Sequence, residues 1–150
     1  RLLTICEQYA EAHPGFHIPE SIKNKSLARF RANIKVERHG HIGVVQVFRP
    51  EVMNALSKRT ILEIEGAFDE LIADDTVKGI VFTSSNGALA GADINELAAL
   101  PTPEDCRAIC LQTHPIMEKI ATAPKPVVAA LNGAVLGGGD VCMNCGTVRE

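Results

Sequence analysis

Between Ile34 and Arg38 apolar and polar residues alternate singly, with Ile34 and Val36 interleaved with Lys35 and Glu37. A period of two is that of a strand with one buried face. His39-Gly40-His41 supplies a turn, and Ile42-Gly43-Val44-Val45-Gln46-Val47-Phe48 reads as a second, more buried strand. The pair predicts a β-hairpin. After the loop Arg49-Pro50-Glu51-Val52-Met53-Asn54 the period changes. Ile61, Ile64, Phe68 and Leu71 recur at helical spacing with charges opposite, predicting a helix from about Ser57 to Ala73 that Asp74-Asp75 ends. Residues 78–83 read as a short buried strand and residues 84–89 as a polar loop. Asp93 has the chemistry of an N-cap, with Glu96 three residues on as its capping-box partner. Thr102-Pro103-Glu104-Asp105 starts another helix, with Pro at the first helical position. That helix runs to about Ile120 and is broken by Pro124-Lys125-Pro126. Residues 127–131 form a further buried strand, Asn132-Gly133 turns, and Gly137-Gly138-Gly139 opens a last helix. The order ββα, β, αα, β, α predicts a mixed α/β domain. No fixed-period repeat or low-complexity segment interrupts it.

Upstream of Asn33 the pattern is weaker. Residues 3–12 read as a helix without a tight apolar face, stopped by His13-Pro14-Gly15. Residues 19–30 are basic and polar, a second short helix or a linker. The chain starts at Arg1 rather than Met, so a longer product is expected, with residues 1–30 as a linker or the tail of an upstream domain and 31–150 as the organised unit.

The composition narrows the partners. The chain has 150 residues, 46% hydrophobic and 22% charged, the balance of one soluble globular domain. Net charge is −3. A nucleic-acid partner is not expected, because its readers carry a basic stripe. Aromatic residues, on which single-stranded bases stack, total 4% with no Trp. No apolar run reaches the ~18 residues of a membrane span, and no secretory segment opens the chain, so no membrane partner is expected either. Five Cys at irregular spacing make no disulfide framework. They point to a reducing compartment, the cytoplasm or, in a eukaryote, the mitochondrial matrix.

Two loops share one logic. Each leaves a buried strand, passes through small residues and enters a helix: Ala90-Gly91-Ala92-Asp93 in the first, Leu136-Gly137-Gly138-Gly139 in the second. Small residues let a ligand approach the backbone. A helix N-terminus presents unpaired N–H groups and the positive end of its dipole. Two such ends converging on one point would form an oxyanion hole, which suits a thioester whose carbonyl oxygen gains charge when the α-carbon loses a proton or the β-carbon is attacked. Taken singly, each loop has a plainer explanation, a helix cap after a tight turn or a close helix–strand contact. The three glycines also lack the G-x-G-x-x-G spacing of a dinucleotide site.

Together the motifs resemble the crotonase family, the enoyl-CoA hydratases and isomerases. The resemblance runs from about Asn33 to the end, through Arg49-Pro50-Glu51-Val52-Met53-Asn54-Ala55-Leu56, Ala90-Gly91-Ala92-Asp93-Ile94, Lys125-Pro126-Val127-Val128-Ala129-Ala130-Leu131-Asn132-Gly133 and Leu136-Gly137-Gly138-Gly139. It implies an α/β fold, a spiral of ββα units incomplete at the C-terminus, assembled when complete as a homotrimer or hexamer. It implies the N–H groups of Ala92 and Gly138 as oxyanion donors. It implies that Ala90, Ala92, Asp93 and Ile94 line the acyl-CoA groove, that the Asn54-Ala55-Leu56 loop lies near the CoA moiety, and that Gly137 also binds substrate. No metal or redox cofactor is expected, with coenzyme A present as part of the substrate. Some family members follow a 3-hydroxyacyl-CoA dehydrogenase, and residues 1–30 resemble what would remain of such a neighbour.

The chain departs from the family pattern after the glycines. Family hydratases use two glutamates, the first two residues beyond the third glycine. Here Asp140 and then Val141 follow Gly139. Val141 can be neither acid nor base. Asp140 is an acid/base candidate one residue early, rotated by about 100° around a helix. The second glutamate would fall beyond Glu150. An isomerase, which moves a proton between carbons, can work with one carboxylate poised near neutral pH. The rival reading is a non-catalytic acyl-CoA-binding module that keeps the hole and lacks the carboxylates.

Other residues have plainer roles. Cys142-x-x-Cys145 lacks the second pair or thioredoxin-like context of a zinc or redox site. Cys106 and Cys110, one turn apart, are expected in core packing. His13, His17, His39, His41 and His114 show no metal spacing, and His39 and His41 belong to a solvated turn. Lys125 is expected to face solvent. Lys58 and Arg59 could approach CoA phosphates, or form a solvated first helical turn.

Overall fold

A computed structural model describes residues 11–15, 17, 31–130, 133–137 and 147–149. Its elements are β1 (Ile34–His39), β2 (Ile42–Val47), a 3-10 turn (Pro50–Val52), α1 (Lys58–Ala73), β3 (Gly79–Ser84), α2 (Ile94–Ala98), α3 (Pro103–Ala121), β4 (Val127–Ala130) and β5 (Thr147–Arg149). The strands form one sheet in the order β1-β2-β3-β4-β5. β1 and β2 are the expected antiparallel hairpin, in register from Ile34 opposite Val47 to His39 opposite Ile42. From β2 onward the pairing is parallel. Parallel neighbours need long crossovers, which α1 supplies between β2 and β3, and α2 with α3 between β3 and β4. This is the mixed α/β architecture that the alternation of periods predicts. Further upstream, residues 11 and 12 are helical and His13–Gly15 turn, where the helix is expected to stop.

The core lies between the sheet and α1. Ile64, Ala67, Phe68 and Leu71 of α1 are buried with Val45, Val47, Ile80, Phe82 and Leu89. The Phe68 and Phe82 rings lie 6.3 Å apart in a tilted pair, within the range where aromatic rings attract beyond their area burial. One charge joins this buried face against the amphipathic pattern. Glu63 is fully buried, accepting from Arg59 Nε at 2.8 Å and from the backbone N–H of Asn33 at 2.7 Å. The ion pair and hydrogen bond make that burial tolerable, and they tie the segment entering β1 to α1.

Several side chains depart from their expected roles because their partners are distant in sequence. Asp93 is an N-cap as predicted, accepting from the Asn95 N–H. Glu96 does not close a capping box with it. Its Oε2 instead accepts from the Lys58 N–H at 2.7 Å, and so satisfies an open donor at the start of α1. Lys125 does not face solvent. Its Nζ donates to the Leu71 and Asp74 carbonyls at 2.8 and 2.6 Å, capping the C-terminal end of α1. Nearby, Thr76 donates through both its hydroxyl and its N–H to Asp74. Those bonds, with the Arg38 guanidinium alongside, hold the Asp74 carboxyl at about 2. His41 is exposed, but its Nδ1 donates to the Thr76 carbonyl at 2.9 Å. Cys106 and Cys110 are exposed rather than packed in the core.

Candidate functional site

The loop after β3 is flanked by two other chain segments. On one side Leu56 pairs with Ala92 in an isolated parallel bridge. Leu56 donates to the Gly91 carbonyl at 2.9 Å, and Asp93 donates to the Leu56 carbonyl at 3.1 Å. On the other side Leu89 pairs with Val135. Leu89 donates to the Ala134 carbonyl at 2.9 Å, and Leu136 donates to the Leu89 carbonyl at 3.1 Å. The two small-residue loops therefore run side by side.

Peptide planarity then fixes the direction of one N–H. In a trans peptide the C=O and the following N–H point opposite ways. The Gly91 carbonyl faces Leu56, so the Ala92 N–H points away from Leu56, toward the side on which residues 134–137 run. No described residue accepts from it. Ala92 is followed by Asp93 and a helix of only five residues, so the N–H belongs to the loop and gains little from a helix dipole.

Glycine is required where the loops approach. A methyl group at Gly133 would meet the Gly87 carbonyl carbon at 2.7 Å, well inside contact distance. Gly137 has φ +51, in the left-handed region, and its ideal Cβ position lies 3.6 Å from the Gly91 Cα. Gly91 and Gly137 are the residues immediately before Ala92 and Gly138. Gly138, Asp140 and Val141 lie outside the described residues, as do Cys142 and Cys145.

Beside Ala92 opens a cavity of about 170 Å³ lined mainly by apolar groups. Leu56, Ile61, Leu97, Ile109 and Met117 supply much of its wall, with Lys58 and Glu96 at the start of α1 and on α2. Of the residues expected to bind substrate, Leu56, Ala92 and Asp93 come together here. Ala55 and Ala90 do not line the cavity, and the Ala90 N–H donates to the Met53 carbonyl at 3.0 Å. Ile94 projects outward, 77% exposed, and Gly137 lies on the neighbouring loop. Cys110 and Thr113 of α3 complete the wall.

The loop from Arg49 to Asn54 carries two groups whose part the sequence pattern does not reveal. Asn54 is fully buried with φ 57, following Met53 at φ 52. Left-handed backbone is uncommon outside glycine and suits Asn better than Met. The Asn54 side chain accepts from the Arg49 N–H at 2.8 Å and from the Ser85 hydroxyl at 3.2 Å. It donates to Asn86 Oδ1 at 2.6 Å and to the Ala88 carbonyl at 2.9 Å. Arg49 Nη1 donates to the Ala55 carbonyl at 2.7 Å and to Asp93 Oδ2 at 3.1 Å. The signal available in the sequence is an Arg and an Asn five residues apart in a loop, which names no partner.

Comparison with known proteins agrees with this architecture. Over 116 residues the chain is 33% identical to the short-chain-enoyl-CoA hydratase of Clostridium acetobutylicum, covering 75% of this chain and 44% of that protein. It is 41% identical over 91 residues to the fatty acid oxidation complex subunit alpha of Shewanella halifaxensis, covering 59% of this chain and 13% of that one. Among solved structures, an enoyl-CoA hydratase/carnithine racemase from Magnetospirillum magneticum superposes with a TM-score of 0.75 at 28% identity, covering 79% of this chain and 46% of that one. The chain thus spans under half the length of these relatives. The sequence profile of the enoyl-CoA hydratase/isomerase family matches residues 37–147, and with the parallel sheet and paired loops in place the chain belongs to that family.

Proposed function

We propose that the full-length protein is an acyl-CoA enzyme that hydrates or isomerises an enoyl-CoA thioester through an enolate held in an oxyanion hole. The observation carrying this reading is the Ala92 N–H, which has no acceptor among the described residues and borders an apolar cavity. The Gly138 N–H is the second donor in this proposal. In hydration, a base takes one proton of the water as its oxygen bonds to the β-carbon, the alkene electron pair moves toward the thioester, and the thioester oxygen takes the charge. The α-carbon then accepts a proton. In isomerisation, a base removes a proton and returns it to another carbon through the same enolate. Each donor of such a hole contributes ~3–4 kcal/mol in the transition state. Asp140 is the acid/base candidate. Coenzyme A enters as part of the substrate, and the complete protein assembles as a homotrimer or hexamer.

Val141 favours a second reading, an acyl-CoA-binding module that retains the hole but does not turn over. Crotonyl-CoA hydration by the full-length protein and its Val141→Glu variant separates the two. Turnover by the natural protein is expected if a carboxylate elsewhere, such as Asp140, serves as base. Turnover only after Val141→Glu points to a competent hole without a hydratase base, the binding-module or isomerase outcome. Conversion of 3-enoyl-CoA by the natural protein would then select the isomerase.

A further inference from the structure

The loop bearing Ala92 is held by the segment that precedes α1, and the hold converges on one side chain. Arg49 Nη1 reaches Ala55, the residue before Leu56, and Asp93, the residue after Ala92. It therefore spans the Leu56–Ala92 bridge from one segment to the other. Both ionic side chains are largely withdrawn from water, with 16% of Arg49 and 11% of Asp93 exposed. Arg49 is itself fixed by its N–H to Asn54, whose amide also grips the Ala88 carbonyl upstream of the loop.

We infer that Arg49 is a positioning residue for the Ala92 N–H, acting through Asp93. The inference rests on Ala92 being an oxyanion donor. The physical reason is the stiffness of a peptide plane. The Ala92 N–H shares a rigid plane with the Gly91 carbonyl, so it shifts only if that carbonyl leaves Leu56, or if the far corner of the plane, the Ala92 Cα, is dragged by a movement of the adjoining Asp93. The guanidinium opposes the second movement with a charge-assisted bond in a poorly hydrated place, where such bonds are strong. Its effect falls on the state in which the thioester oxygen is charged, because misplacing a donor by an ångström costs most when the charge is full. Asp93 has a separate duty as the cap of α2, accepting from Asn95 through Oδ1. Asn at this position keeps a capping oxygen and removes the charge, so the two duties can be separated.

The test uses the full-length protein and two ligands. Acetoacetyl-CoA enolises and places negative charge on the thioester oxygen, whereas butyryl-CoA carries only a neutral carbonyl. The natural protein is expected to prefer acetoacetyl-CoA. Asp93→Asn and Arg49→Met are expected to lower its affinity ~10–100-fold, with the butyryl-CoA affinity of Arg49→Met, whose side chain does not line the cavity, changed less than about threefold. Arg49→Lys restores much of the preference. Unchanged preference in Asp93→Asn and Arg49→Met overturns the inference. So does equal loss of both ligands, which marks a merely structural contact, and butyryl-CoA binding reports whether each variant has folded. No preference in the natural protein removes Ala92 as an oxyanion donor, before any variant is considered.

Discussion

The two long helices of the chain differ in what they bury. α1 has 16 residues and buries Thr60, Glu63, Ile64, Ala67, Phe68 and Leu71. α3 has 19 residues, yet only Ile116 and Ile120 are buried. α1 packs on β1 and β2 and is covered by α3. Ile116 and Ile120 in its later turns provide that cover, while Ile109, Cys110, Thr113 and Met117 border the cavity and Leu111 is 62% exposed. Helical periodicity reports that a face is apolar. It does not report what lies against that face. One helix gives most of its apolar face to the core, and the other gives much of its face to the wall of a site.

The largest effect that would break this contrast is at Phe68. Phe68→Ala empties the contact with Phe82 and is expected to cost about 3–5 kcal/mol, measured by denaturant unfolding of the full-length protein. A cost below about 1 kcal/mol would mean that α1 is not the helix given to the core. A smaller effect is expected where the helices meet. Lys119 of α3 lies 2.8 Å from both Glu65 and Asp69 of α1. Burial pulls the Lys119 ammonium down, but the bonds to Asp69 and Glu65 outweigh it and raise its pKa above 10.5. A raised cationic pKa contributes stability that is complete below the unfolded value and fades as pH climbs through the folded one. Lys119→Met is therefore expected to cost about 1 kcal/mol or less at pH 7, given its partial exposure, and the gap to the natural protein should narrow above pH 10.5. A gap constant into strong alkali would count against the link. Smallest is Leu111→Ser, expected within about 0.5 kcal/mol in the same unfolding measurement. A loss approaching that of Phe68→Ala would show the first half of α3 to be covered in the assembled protein.

The elements were legible where the chain interacts with itself nearby. The hairpin follows from single alternation and the turn at Gly40, α1 from its apolar stripe, and α3 from Thr102 and Pro103 at its start. Asp93 as a cap is equally local. What escaped was pairing across long sequence distance. Glu96 has the spacing of a capping-box partner for Asp93, but Lys58 offers it an open N–H from another helix. Lys125 looks like a solvated charge until α1 ends beside it. Cys106 and Cys110 look like small core residues, and only the position of α3 exposes them. At the site, the small residues of the two loops were readable because backbone approach demands small side chains. The clamp of Arg49 on Asp93 was not, because neither residue says in sequence which loop it will meet.

The contact of Gly133 with Gly87 has a consequence for how such a site can diversify. A Cβ at residue 133 would come within 3.0 Å of the Gly87 and Ala88 backbone, so any side chain there would wedge the two segments apart. The separation is thus a backbone dimension that side-chain exchange cannot tune by degrees. Ile109, Thr113 and Met117 line the neighbouring cavity, to which neither Gly87 nor Gly133 contributes, and can change in size without touching that spacing. The fold divides its labour between a gauge that must stay fixed and a wall that is free to vary.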